Sequence, residues 1–212
     1  MTYDLELIKT FEGDILPSQI VLYDLVNVIE KYVSQHRYFY QSYSQLFRNL
    51  IIEFRNEHLP HLLGLSKFHH FGLSTYRPVE IFNKLKEDWD LNYLISADES
   101  WYAENQDKLV GALLLYQLFH VEKCKVLTPK SIINTVHGKR FKRDNIYFVI
   151  LKATNGKEYT IELSPTEDSA DVFIPKSLKI NDSMLSKCSE LNLTFLKSER
   201  IVSIKKRKKS KK

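Results

Sequence analysis

At 212 residues, 43% of them hydrophobic, the chain is long enough to bury a substantial core as one domain, although a helical first half and a strand-rich second half could also form two lobes. Its formal charge of +5 is local: residues 205–212 hold seven Lys or Arg, which leaves −2 for residues 1–204. The apolar runs are too short to span a bilayer, the acidic start MTYDLELIKTFEGD is unlike a signal peptide, and Cys124 and Cys188 form neither a CxxC pair nor a zinc-ligand spacing, so a reduced, cytoplasmic protein with no membrane span is expected.

In chain order, Pro17 opens a helix in which Leu22, Val26, Ile29 and Val33 share one face. Residues 38–47 are rich in Tyr and Phe, which suits base stacking or, more commonly, burial. Residues 50–54 read as a short strand, followed directly by the apolar motif HLPHLLGL at 58–65. Pro78 restarts a helix with Val79, Phe82 and Leu85 on one face, and SADE at 96–99 has the form of a capping box before a long helix through Phe119.

Strand signals dominate afterwards, beginning at 121–127. Residues 146–154 and 157–163 flank Asn155-Gly156, a hairpin signal, with Tyr159, Ile161 and Leu163 toward the core and Glu158, Thr160 and Glu162 on the other face. Residues 171–176 read as a strand that Pro175 ends or places at an edge, and 193–204 supply one or two more. The expected class is α+β: a helical N-terminal half, with an extension over about residues 1–45, packed on an antiparallel sheet formed mainly by the C-terminal half. This single domain covers residues 1–204, and residues 205–212 are expected to be a disordered basic tail.

Phosphate loops of the GxxxxGK[ST] type, GxGxxG, HExxH and GxSxG are all missing from the sequence, which removes the mechanical parts of several enzyme classes. What stands out is His58, His61, Lys67, His69, His70 and Arg77 within twenty residues, the residue types that RNA cleavage needs. A base takes the 2′-hydroxyl proton, an acid protonates the leaving 5′-oxygen, and a cation offsets charge on the phosphorane, with no metal or other cofactor required. His61 is the preferred acid/base residue, although a lone histidine more often packs or caps a turn. Adjacent His69 and His70 lack a carboxylate at ligand spacing, so no metal is expected.

Arg77 before Pro78 stands at a helix entrance where a phosphate can be met, and equally suits an ordinary surface position. The loop HGKRFKR, with Lys139, Arg140, Lys142 and Arg143, offers phosphate contacts around one aromatic, as Lys67 and His69 do near the motif; a solvated loop reads the same way.

HLPHLLGL after a strand, the later YFVILKATNGKEYTIEL hairpin and the DVFIPKSL strand resemble, across roughly residues 45–180, the phage and mobile-element branch of the barnase-EndoU-colicin-RelE-like nuclease superfamily. The resemblance implies helices before an antiparallel sheet, metal-independent cleavage of RNA such as tRNA, and a toxin or mobile-element effector with an antitoxin or inhibitor protein as partner. It assigns His61 from the first motif and Lys176 with Ser177 from the last as catalytic residues. A non-catalytic nucleic-acid-binding module and a protein-interaction component are the alternatives from other classes.

Overall fold

A computed structural model describes residues 3–43, 49–65, 77–129, 145–150, 153–167, 169 and 171–201. The fold is α+β. Among the described residues, seven α-helices accompany one eight-stranded sheet, and no helix is long and apolar enough to cross a membrane.

Asp4 caps the short α1 (Leu5–Thr10) by accepting from the Leu7 N–H. A 3-10 turn at Pro17–Gln19 precedes α2 (Leu22–Tyr32), whose expected apolar stripe Leu22, Val26 and Ile29 is buried, as is Val33 just beyond it. The expected helical extension over residues 1–45 ends early, because β1 (His36–Ser42) and β2 (Asn49–Phe54) follow. The reason is period two: Tyr38 and Tyr40 turn inward, while Arg37 and Gln41 turn outward. Burial is therefore the fate of those two tyrosines. Tyr38 donates to the Val33 carbonyl at 2.6 Å, and Tyr40 donates to the Phe119 carbonyl.

After α3 (His58–Leu62), helices α4 (Pro78–Glu87), α5 (Leu91–Ala97), α6 (Glu99–Leu113) and α7 (Leu115–His120) complete the helical layer. On α4 the buried face is Ile81, Phe82 and Leu85, and the expected Val79 is 56% exposed. Ser96 and Ala97 belong to α5 rather than to a capping box, and Asp98 alone caps α6, accepting from the Trp101 N–H at 3.1 Å. The expected single helix through Phe119 breaks at Leu114, and Val121, in the left-handed region at φ +57°, stops α7. The next strand consequently starts later than the sequence suggested.

The remaining strands are β3 (Lys125–Pro129), β4 (Ile146–Ile150), β5 (Tyr159–Pro165), β6 (Val172–Ile180), β7 (Cys188–Glu190) and β8 (Leu193–Arg200), arranged β7-β3-β4-β5-β6-β2-β1-β8. Five of the eight follow residue 145, as the C-terminal weighting predicted, but the sheet is mixed: β2 runs parallel to β6 through Ile51–Val172 and Ile52–Phe173. The hairpin at Asn155-Gly156 forms with Ile150 opposite Tyr159, and Tyr159, Ile161 and Leu163 are fully buried. Pro175 ends nothing. It sits within β6 beside a bulge, where its missing N–H is tolerated, and the strand runs on to Ile180.

Helices α6 and α7 cover the inward face of the sheet. Phe119 stacks on Tyr38 with centroids 4.9 Å apart and tilts against Phe54 at 5.4 Å. Gly111 lies so close to β5 and β6 that a β-carbon there would stand 2.9 Å from the Tyr159 ring and 3.0 Å from Leu178. Together with Trp101, these groups form the centre of the core.

Candidate active site

The HLPHLLGL motif folds back as soon as β2 ends. His58 stacks flat on Phe54, 6.0 Å between centroids and 9° between planes, and its Nδ1 accepts the Arg55 N–H at 3.1 Å. Burial, assisted by the Arg55 charge, pushes the His58 imidazole down to about 4. The neutral ring with its proton on Nε2 is the form that fits this hydrogen bond.

Leu59, Pro60 and Leu62 point into the core and leave His61 as the exposed residue of the helix. The turn that follows is tied to α6: the Trp101 indole Nε1 donates to the Leu63 carbonyl at 3.0 Å, and Gly64, at φ +79°, packs against Asn105. His61 is thus carried on a well-anchored turn.

His61 lines a cleft of about 350 Å³ together with Glu104, Asp107 and Lys108 of α6 and Ser177 and Lys179 of β6. The cleft exists because β2 accompanies β6 only as far as Phe173 and then departs into α3. The next stretch of β6 faces helices instead of a strand.

The sheet wall of the cleft hangs on one buried carboxylate. Glu162, 6% exposed, accepts from Ser177 Oγ at 2.8 Å, pairs with Lys179 Nζ at 3.0 Å and Lys176 Nζ at 3.7 Å, and accepts from Asn145 Nδ2. Lys179 also meets Asp182 at 3.0 Å. Lys176 is the extra residue of the bulge opposite Glu162 and Leu163, so it and Ser177 both reach the same carboxylate.

Burial by itself would raise the Glu162 carboxyl, but hydrogen bonds from Lys179 and Ser177 and the nearby ammonium charges outweigh it and hold the group below the usual glutamate range. Burial likewise opposes the charge on Lys179, yet Glu162 and Asp182 outweigh it and raise that ammonium. Both groups are ionised at neutral pH.

Of the sequence candidates, His61 and Ser177 are brought to one cleft, and Lys176, its side chain 55% exposed, joins them through Glu162. Arg77 stands instead at the head of α4, 59% exposed and paired with Glu80 at 2.8 Å, outside the cleft lining. Lys67, His69, Lys139, Arg140, Lys142 and Arg143 lie outside the described residues. Sequence reasoning missed Glu104, Lys108, Glu162 and Lys179; the one available signal was Glu162, a carboxylate set among Thr160, Ile161 and Leu163 in the middle of a strand. A second cavity, of about 160 Å³, is lined by Phe11, Gln117 and Thr154, and there Gln117 donates to the carbonyls of Ile8 and Phe11. It serves to join α1 to α7. Among the described residues no group of three or more His, Cys, Asp or Glu is placed to hold a metal ion. Comparison with known proteins found no matching family model, no matching curated protein and no matching solved structure.

Proposed function

We propose that this chain is a metal-independent endoribonuclease whose reaction centre is the cleft between α3, α6 and β6. The observation that supports it is the meeting of His61 and Ser177, far apart in sequence, on the walls of one cleft that also holds Lys179 and Lys108. In this reading His61 and Glu104 share the proton transfers. One removes the 2′-hydroxyl proton as that oxygen attacks phosphorus, and the other protonates the departing 5′-oxygen. Lys179, kept cationic by Glu162 and Asp182, offsets the charge gathering on the phosphorane, and Ser177, donating to Glu162, holds the carboxylate that positions this ammonium. The products are a 2′,3′-cyclic phosphate and a free 5′-hydroxyl.

RNA is the proposed substrate class, with tRNA the first to test, and an antitoxin or inhibitor protein in the cytoplasm is the proposed partner of a toxin or mobile-element effector. The test is incubation of the purified chain and its His61→Ala variant with total RNA and tRNA in EDTA, with the product termini resolved. Cleavage by the wild type alone, leaving cyclic phosphate, supports the reading. Cleavage retained in His61→Ala removes the role given to that residue, and intact RNA throughout overturns the function.

A further inference from the structure

Strand β6 has a partner on only one of its edges over most of its length. β5 runs beside it as far as Ile180, whereas β2 leaves after Phe173. The phase of the β5 ladder follows from the Asn181 N–H, which donates to the Glu158 carbonyl at 2.9 Å. Bonded pairs recur at every second residue, so Lys179 and Ser177 exchange hydrogen bonds with Thr160 and Glu162. Leu178 and Ile180, between and beyond them, aim their N–H and C=O groups into the lane that β2 vacates.

Nearer β2 the same edge is protected by its own chemistry. The Thr166 N–H donates to the Val172 carbonyl, so Pro175 turns a nitrogen without hydrogen to the lane, and Lys176 forms the bulge. Both devices stop a strand from pairing. Beyond them the protection ends. Among the described residues no group hydrogen-bonds to the outward N–H and C=O of Leu178 and Ile180, and both residues line the cleft of about 350 Å³ beside His61. Two donors and two acceptors thus stand in an alternating row about 7 Å long. A second polypeptide strand carries the matching row at the same spacing, whereas a phosphodiester chain, whose phosphates only accept, does not. Charge narrows the choice further. On the cleft walls Asp107 is paired with Lys157 at 2.6 Å and Lys179 with Glu162 and Asp182, but Glu104 is exposed and, among the described residues, no cation pairs with it.

We propose that the bare edge of β6 at residues 178–180 docks an extended segment of a partner protein, which adds a strand inside the cleft and sets a Lys or Arg against Glu104. Main-chain hydrogen bonds supply the attachment, and the carboxylate supplies the preference for a basic segment. Such a strand covers His61 and Glu104 together. Naming the partner an inhibitor rests on the nuclease reading; the strand addition itself does not.

The probe is the acetylated, amidated peptide Thr-Val-Thr-Lys-Thr-Val-Thr, added to the isotope-labelled full chain in the absence of RNA and followed by amide NMR. In the free protein the Leu178 and Ile180 amides exchange with solvent at least about tenfold faster than those of Ser177 and Lys179, which bond to β5. The peptide shifts these two resonances and slows their exchange about tenfold. Methylating the peptide's amide nitrogens abolishes binding. Glutamate in place of its lysine weakens binding about fivefold, a preference that Glu104→Gln removes. Ile180→Pro, which deletes one outward donor and leaves the β5 ladder whole, also abolishes binding, with circular dichroism checking the fold. Amides at 178 and 180 already protected in the free chain overturn the proposal, as do an absence of binding, binding that leaves those amides unmoved or survives methylation, or a folded Ile180→Pro that binds like the wild type. With RNA absent throughout, strand addition is judged separately from cleavage.

Discussion

Gly64 and Asn105 leave no room for a side chain between them: a β-carbon on Gly64 would fall 2.6 Å from the Asn105 amide carbon and closer still to its oxygen. Asn105 cannot easily retreat, since its Nδ2 donates to the Trp101 carbonyl at 2.9 Å in the interior of α6. Gly64→Ala therefore incurs both the left-handed backbone cost and an overpacking cost, about 2–4 kcal/mol together. Gly156, also left-handed at φ +76°, has nothing within 4 Å of a would-be β-carbon, and Gly156→Ala costs about 1 kcal/mol. Urea midpoints of the two variants check the contrast; equal losses would show that Gly64 is needed for its backbone angle alone.

The Glu162 network gives stability a defined pH window. Because the folded carboxyl lies below its ordinary value of 4.5, the unfolded chain binds the proton more readily, and this contribution is complete above about that pH and lost as pH falls through the folded value. Lys179 is raised above its ordinary 10.5, so its contribution is complete below that pH and lost as pH climbs through the folded value. Glu162→Gln removes the anion that both lysines share and costs about 3 kcal/mol at pH 7. Denaturation curves from pH 3 to 8 check this: the acid limb flattens in the variant, and an unchanged limb would assign the acid sensitivity elsewhere.

The burial of His58 against Phe54 sets how its ring titrates. The His58 ring, lowered to about 4 mainly by burial, keeps its neutral resonance from pH 8 down to about pH 5 in histidine-detected NMR spectra. Protonating it also favours unfolding, since the unfolded ring takes up its proton near 6.5. The stability His58 supplies is complete above that pH and fades as pH falls toward 4. A His58 transition near 6.5 in the folded protein would mean that the ring is solvated and the stack on Phe54 open.

Tyr40 is fully buried, its hydroxyl given to the backbone of Phe119 where α7 meets β1. Burial drives the phenol well above its ordinary value, so it remains a donor at every accessible pH. Tyr40→Phe leaves the Phe119 carbonyl without that donor and costs about 1–2 kcal/mol. Thermal melting of the variant reads this directly; an unchanged midpoint would show that another donor reaches the carbonyl.

What could be read from sequence followed physical range. The α2 stripe and the Asn155-Gly156 hairpin depend on neighbours a few residues away, and both formed as expected. Val79 misled because Ile81 and Phe82 define a buried face turned slightly from the one the spacing suggested. The parallel β2–β6 pair joins segments separated by most of the helical layer, and no local periodicity reports such a pairing. The same holds for the cleft: HLPHLLGL singled out His61, and FIPKSL singled out Ser177, but Lys179 and Lys108 carry no signature beyond being lysines. Glu162 became interpretable only once the bulge at Lys176 had turned two further side chains onto it.

The position of β1 has a consequence for synthesis. It pairs with β2 on one side, formed soon afterwards in the chain, and with β8 on the other, the last of the described strands to be made. As the polypeptide leaves the ribosome, the outer edge of β1 therefore has no strand to receive its hydrogen bonds until residues 193–200 emerge. A message cut short before residue 193 yields a product with that edge permanently bare, a template for adhesion to other chains. β8 thus shields an edge that β1 exposes from early in synthesis.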